Sequence, residues 1–346
     1  MATIRDIARA AKVSPATVSR VLNHDTSLRV AVSTRLRVME AAEKLEYVPK
    51  RQRKENGAGQ TPAPLERLNF AIADWYTEAE LAEDPYYLYQ MTAVEKACVE
   101  KNINTYRLIN LDGTYTAAVD CAMDGLIAIG RFAPRDIEIL RHFTQNIVFL
   151  DSSPDMSTFD SVQVNSFLGA RLAMEHLYDL GHRRIAFMGG RVVVDHGEWG
   201  EDHRRSVYDQ FMKEKGLFEE RLIYEGEKIS FREGSRLAQE MLLQDELPSA
   251  LFVANDTMAT GVLSVLAAKE IRVPERLSIV GYNDIAAVKH LSPPLTTVHI
   301  PLDEIAACAV ELLRQNITCE KSLPYRVQLP AKLVVRASTA RLPLEK

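Results

Sequence analysis

The spacing of apolar residues changes character along the chain. Up to about residue 49 they recur every three to four positions: Ile4, Ile7, Ala8 and Ala11, then Val18, Val21 and Leu22, then Leu36, Met39, Ala42 and Leu45. Such spacing puts each set on one face of a helix, so three short helices are expected. Their starts are marked. Thr3 has Asp6 at the capping-box position, Ser14 precedes a proline whose missing amide hydrogen has no partner to lose, and Ser33 opens the third. Val13 and Val18 are placed to close a hydrophobic staple, and only Lys12 and Val13 separate the first helix from the cap of the second, the tight join of a helix-turn-helix. Residues 50–66, "KRQRKENGAGQTPAPLE", have no period and read as a linker.

From Leu68 onward, short apolar runs ("LNFAIA", "NTYRLI", "GLIAIG", "NIVFLD", "RRIAFMGG", "SALFVAND", "LSIVGYND") alternate with helical stretches such as "LYQMTAVEKACVEKN", "FLGARLAMEHLYDLG" and "DTMATGVLSVLAAKE". That alternation predicts an α/β body of parallel sheets covered by helices on both faces.

Composition sharpens this division. The 346 residues, 47% hydrophobic and 26% charged, leave room for two or three domains. No apolar run approaches the ~20 residues of a membrane span, and "MATIRDIARAAK" is amphipathic and carries an acid, unlike a signal peptide. Cys98, Cys121, Cys308 and Cys319 lack metal-ligand spacing, so reduced thiols in a cytoplasmic protein without metal or cofactor are expected. The net charge of −5 conceals an asymmetry: residues 1–54 hold 12 Lys/Arg against 5 Asp/Glu, leaving 30 against 42 for the rest. A basic head on an acidic body points to a polyanionic partner for the head.

The second helix tells which one. Its outer face carries Ala16, Thr17, Ser19, Arg20 and Asn23, small except for one arginine. Small side chains let a helix backbone approach the floor of the DNA major groove. Arginine pairs there with guanine O6 and N7, worth about 1–3 kcal/mol of discrimination. Hydroxyls and amides bind phosphates and fix register.

"TIRDIARAAKVSPATVSRVLN", followed by "RVMEAAEKLEYVP", resembles the head of the lactose/galactose repressor (LacI/GalR) family. The resemblance implies a sequence-specific DNA-binding transcriptional regulator. A homodimer would present two heads to a pseudo-palindromic operator. Thr3, Ser14, Pro15, Ala16, Thr17, Ser19, Arg20, Asn23 and His24 would lie at the DNA. Pro15-Ala16 departs from the tyrosine-glutamine of the family's namesake, so a different operator is expected. The family's hinge pattern, Asn-x-x-Ala-Arg-x-Leu, falls here on Lys50, Arg53, Lys54 and Asn56. An asparagine is a poor minor-groove wedge, so Lys50, Arg51, Arg53 and Lys54 are expected to act through charge.

The organisation expected from this resemblance is a helix-turn-helix domain over 1–49, a basic hinge over 50–66 and a two-lobed, periplasmic-binding-protein-like body over 67–346. Lobe 1 would take about 67–165 plus 295–321, and lobe 2 about 166–294 plus 322–340. A small sugar would bind between the lobes at the carboxyl ends of the strands. Asp74, Trp75, Asp151, Asn255 and Asn283 stand at such ends, although Asp and Asn also favour caps and turns. Arg204 matches the family arginine that forks onto neighbouring hydroxyls, with Arg205 its rival. Trp75 and Tyr76 offer a face for pyranose C–H groups or a contribution to the core. "DPYYLYQMTAVEKACVEKNI" and "VGYNDI" are similar to a branch regulating β-galactosidase operons, which implies a β-galactoside or related effector released from a repressor. Activators also occur in the family.

No nucleotide-binding, zinc-protease or serine-hydrolase motif is present, so an enzyme is not expected. His182, after a glycine that ends a helix, reads as a cap. A sugar-transport binding protein would share the cleft but not the basic head. With no heptads after "KLVVRAST", no four-chain assembly through a terminal coiled coil is expected.

Overall fold

The computed structural model describes residues 4–22, 34, 37–38, 41–42, 67–111, 113–119, 121–195, 198–200, 202–319 and 323–342. They fall into two units, 1–66 and 67–346.

In the first unit α1 (Ile4–Ala11) and α2 (Pro15–Leu22) form where the caps place them. The turn between them is a Schellman closure: Lys12 adopts φ 52°, its amide donates to Arg9 O at 3.4 Å, and Val13 N donates to Ala8 O at 3.0 Å. Ser14 Oγ then accepts from Thr17 N at 3.1 Å. Ile7, Ala8, Ala11, Val18 and Val21 are buried with Val38, Ala41 and Ala42, and Val13 packs against them. Residues 34, 37–38 and 41–42 are helical. Val38 and Ala41 join Ala42 in the core, so the buried stripe of this third segment includes two positions outside the expected set. Leu36, Met39 and Leu45 lie outside the described residues, as does the whole of 50–66.

The second unit begins with β1 (Asn69–Asp74), α3 (Glu78–Glu83) and α4 (Tyr86–Glu100), then β2 (Asn104–Leu111), β3 (Thr114–Ala117), β4 (Gly125–Ile129), α5 (Pro134–Leu140), β5 (Ile147–Leu150) and β6 (Asp160–Val164). After α6 (Ser166–Asp179) come β7 (Ile185–Gly190), β8 (Val192–Asp195), β9 (Glu198–Gly200), α7 (His203–Glu214), β10 (Ile223–Gly226), α8 (Phe231–Met241), β11 (Ala250–Val253), α9 (Asp256–Ala268) and β12 (Ser278–Asn283). The chain closes with β13 (Thr296–His299), α10 (Leu302–Thr318), β14 (Arg326–Leu329) and β15 (Lys332–Val334). β4, β5, β7 and β11 are buried residue for residue, as strands covered on both faces must be.

Two sheets result. The first has the order β14-β6-β5-β4-β1-β2-β3, the second β10-β7-β11-β12-β13-β15. All pairings in them are parallel except β2 with β3 and β13 with β15. One buried cluster takes in a face of both sheets, and a separate cluster backs each sheet on its other face.

Lobe membership corrects the expectation at the end of the chain. β13 pairs with β12, so residues 296–299 belong to the second lobe. β14 pairs with β6, so residues 326–329 belong to the first. Only α10, packed on α4 and on β4, β5 and β6, returns to the first lobe as expected. A four-residue apolar run announces a strand but not its neighbour, which is settled by pairing with residues far away in sequence. The chain therefore passes between lobes three times, after β6, after β13 and after β14. Asn165 N, in the first passage, donates to Leu329 O, at the third, at 2.8 Å.

Candidate functional site

At the carboxyl ends of both sheets the strands break off into residues with unusual backbone. Asp151 after β5 has φ 67°, Asn283 ending β12 has φ 113°, and Asp284 has φ 60°. Left-handed conformations at non-glycine residues are sparsely populated and gather where a site constrains the chain. Asp151 and Asn283 line one chamber between the lobes, together with Arg204 and Asn255. Four of the sequence-selected residues thus converge, Asp151 from the first lobe and three from the second.

Each has a defined partner. Asp151 Oδ2 accepts from Tyr87 Oη at 2.9 Å, and burial holds its carboxyl above the ordinary range. Arg204 forks onto Asp202, Nε to Oδ1 at 2.8 Å and Nη2 to Oδ2 at 2.9 Å, while Nη1 donates to Ala254 O. Burial works against both charges of this pair, yet mutual attraction keeps Asp202 below and Arg204 above their usual values. Arg204 also lies 5.5 Å from the centroid of the Tyr282 ring. Arg205, the rival, turns instead to Asp209 and Glu225. Asn255 caps α9, its Oδ1 accepting from Met258 N at 2.8 Å. The same residue thus caps a helix and lines the chamber.

Asn255 Nδ2 reaches across the cleft to Asp84 Oδ2 at 2.9 Å, and Thr257 Oγ1 donates to Asp84 Oδ1 at 3.0 Å. Asp84 belongs to the first lobe, where the same carboxylate accepts from Tyr86 N at the start of α4. Desolvation raises its pKa. This inter-lobe clasp was not foreseen. An acid before proline at a helix start ("EDPYY") signals a cap, and nothing local shows that it faces a second lobe. Asp202, Tyr87, Tyr282 and Arg131 were missed likewise; an acid two residues before Arg204 was the one readable hint.

Trp75 and Tyr76 form an aromatic wall, stacked at 4.9 Å with 23° between planes, and Tyr87 meets Tyr76 edge-on at 4.8 Å. Gly130 makes room for it: with φ +103°, any Cβ there would fall 1.9 Å from Trp75 Cδ1. Ile229 lines the cleft, and Ile300 is buried in the core.

Asp74 departs from expectation. Its side chain lines neither this chamber nor its neighbour. Oδ1 accepts from Tyr76 N at 2.8 Å, closing a turn, and Oδ2 has no hydrogen-bond partner. Desolvation, then the nearby Asp151 and Glu80 carboxylates, raise its pKa to about 7. His182 is buried, its ring nitrogens 3.0 Å from Ser249 Oγ and 3.1 Å from Ala340 O, a clasp for the tail.

In the head, Ser14, Pro15 and Arg20 are exposed. Ser14 Oγ also lies 2.8 Å from Thr17 Oγ1, so these two hydroxyls serve the cap. Ala16 and Ser19 are described only as part of α2. Thr3, Asn23, His24, Lys50, Arg51, Arg53 and Lys54 lie outside the described residues. Among the described residues, no cluster suits a metal ion and no helix is long and apolar enough to cross a membrane.

Known proteins place this architecture. Residues 3–50 match the family "Bacterial regulatory proteins, lacI family", and residues 174–339 match the "Periplasmic binding protein-like domain". The transcriptional regulator GanR of Bacillus subtilis (strain 168) is 37% identical over 343 residues, 98% of this chain and 99% of that one. The transcriptional repressor MelR of the same organism is 36% identical over 344 residues, 98% and 97% of the two chains. The ribose operon repressor of Escherichia coli (strain K12) is 30% identical over 351 residues, 98% and 100%. In fold the chain is similar to the lac repressor dimer bound to operator and an anti-inducer, with TM-score 0.64, 24% identity, and 98% and 99% of the chains covered. At such identity across nearly the whole of both chains, the protein belongs to the lacI family of bacterial transcriptional regulators.

Proposed function

We propose that this regulator is a cytoplasmic repressor without enzymatic activity, whose homodimer holds a pseudo-palindromic operator until a small sugar, of the β-galactoside kind, enters the inter-lobe cleft. The observation that carries the reading is the convergence of Asp151 with Arg204, Asn255 and Asn283 in a chain that also carries a helix-turn-helix head. Carboxylate, guanidinium and carboxamide groups together accept and donate in the pattern that vicinal hydroxyls require. The ribose operon repressor supports a sugar-utilisation operon as the target class.

The mechanism is linkage. Sugar favours one relation of the lobes and operator another, and the effect on operator affinity is bounded by the sugar's differential affinity for the two. Asp84 is the contact best placed to report it, because it touches both lobes and lines the chamber.

Fluorescence anisotropy with genomic fragments, with and without sugars, tests this reading. A galactoside is expected to weaken operator binding by about 5–150-fold. Arg20→Ala is expected to abolish preference for the operator over random DNA and leave sugar affinity intact. No preference for any fragment, with or without sugars, would overturn the proposal.

A further inference from the structure

The chamber described above is not closed at its outer end. It holds about 150 Å³ and continues into a second of about 310 Å³. Tyr76, Asp84, Tyr87, Arg131, Arg204 and Ile229 line both, so the two form one elongated cleft. The inner chamber alone is smaller than the roughly 300–1,000 Å³ of small-molecule sites, and the pair falls within that range.

The outer chamber has the chemistry of a sugar subsite. Trp75 adds its indole to the Tyr76 wall, and Glu80 and Glu83 of the first lobe share the lining with Arg191, Lys228 and Ser230 of the second. With Arg131 of the first lobe and Glu227 of the second, both lobes bring acceptors and donors to this chamber, beside an aromatic surface. Among the described lining residues of the whole cleft, six carboxylates accompany five Lys/Arg, so there is no cationic surplus. The charge of the Arg204 guanidinium, which would otherwise be the natural phosphate ligand, is already paired with Asp202, which leaves its remaining N–H donors for neutral hydroxyls.

We infer that the cleft takes a neutral disaccharide or longer saccharide, one ring in the inner chamber and the next against the Trp75–Tyr76 wall, with the glycosidic linkage beside Asp84 and Ile229. This rests on the reading of the inner chamber as a carbohydrate site. A phosphorylated sugar is excluded by the same carboxylates that accept hydroxyls.

Calorimetric titration of the full chain with galactose, galactose 6-phosphate, lactose, melibiose and cellobiose tests it, with the double variant Arg191→Ala/Lys228→Ala alongside. Both substituted side chains are exposed, so the fold is retained. At least one disaccharide is expected to bind 10-fold or more tighter than galactose, a difference of about 1.4 kcal/mol. Galactose 6-phosphate is expected to bind at least about tenfold more weakly than galactose. The double variant is expected to lose about tenfold in affinity for the disaccharide and none for galactose. Galactose binding as tightly as every disaccharide, with the double variant indistinguishable from the parent, would overturn the two-ring cleft and leave the carbohydrate reading standing. No response to any neutral sugar would overturn both.

Discussion

The two lobes meet the cleft with opposite electrostatic habits. In the inner chamber the second lobe's buried ions are compensated: Arg204 and Asp202 are forked together, and Asn255 is fixed by capping α9. The first lobe brings Asp84 and Asp151, with Asp74 nearby but outside both chambers, carboxyls that burial has pushed up among aromatic rings. Groups locked in place by their own lobe suit the reading of hydroxyl geometry. Buried acids whose pKa desolvation has raised respond to a charge or hydrogen-bond donor placed beside them. On the proposed reading of the cleft as a carbohydrate site, the lobes divide the work: one holds a fixed template, the other registers contact.

The sharpest way to break this contrast is at the compensated pair. Arg204→Ala leaves the buried Asp202 without its partner and is expected to destabilise the body by about 3–5 kcal/mol, with sugar affinity lost and operator binding by the head retained below the melting point. Arg204→Ala/Asp202→Ala should recover much of that stability without restoring sugar binding, as thermal unfolding with and without sugar would reveal. A double variant as unstable as the single one would show that pairing is not what holds Arg204.

A smaller effect is expected from Asp74, on the uncompensated side. Its folded pKa of about 7 lies above the ordinary 3.8, so its neutral form favours folding at low pH. That contribution is complete below about pH 4 and is lost as pH rises through about 7, an upper bound of roughly 4 kcal/mol at 1.36 kcal/mol per unit. Asp74→Asn cannot ionise. Its unfolding free energy, followed by urea titration from about pH 5 to about pH 8, should fall less with pH than the parent's. Parallel curves would place the charge elsewhere.

The smallest change sharpens the contrast where the lobes touch. Thr257→Val keeps shape but removes one of the bonds to Asp84, an expected loss of about 1–2 kcal/mol. It should also weaken the coupling between sugar and operator more than it weakens sugar binding itself. Equal loss in both would make the clasp a packing contact alone.

How much of this could be read in advance follows the range of the interactions. Ser14, Pro15 and the three-to-four spacing fix α1 and α2 within one helical turn, so the head was legible, down to Val13 at its turn. The central strands were legible because strands covered on both faces are apolar throughout. The sheet that receives "TTVH" or "RVQL" was not, since each run is short and its neighbours lie far off in sequence. Within the cleft, Asp151, Arg204, Asn255 and Asn283 converge as their strand-end and family positions suggested. Asp74 does not, because the same residue type closes a turn as readily as it lines a site. Asp84 went unseen because its meaning depends on a helix 171 residues further along the chain.

The triple passage of backbone between the lobes has a mechanical consequence. Three crossings, two of them tied by the bond from Asn165 to Leu329, resist separation of the lobes more than a single crossing would. On the proposed reading, a saccharide settling into the cleft is therefore expected to change the angle between the lobes rather than to open a gap between them.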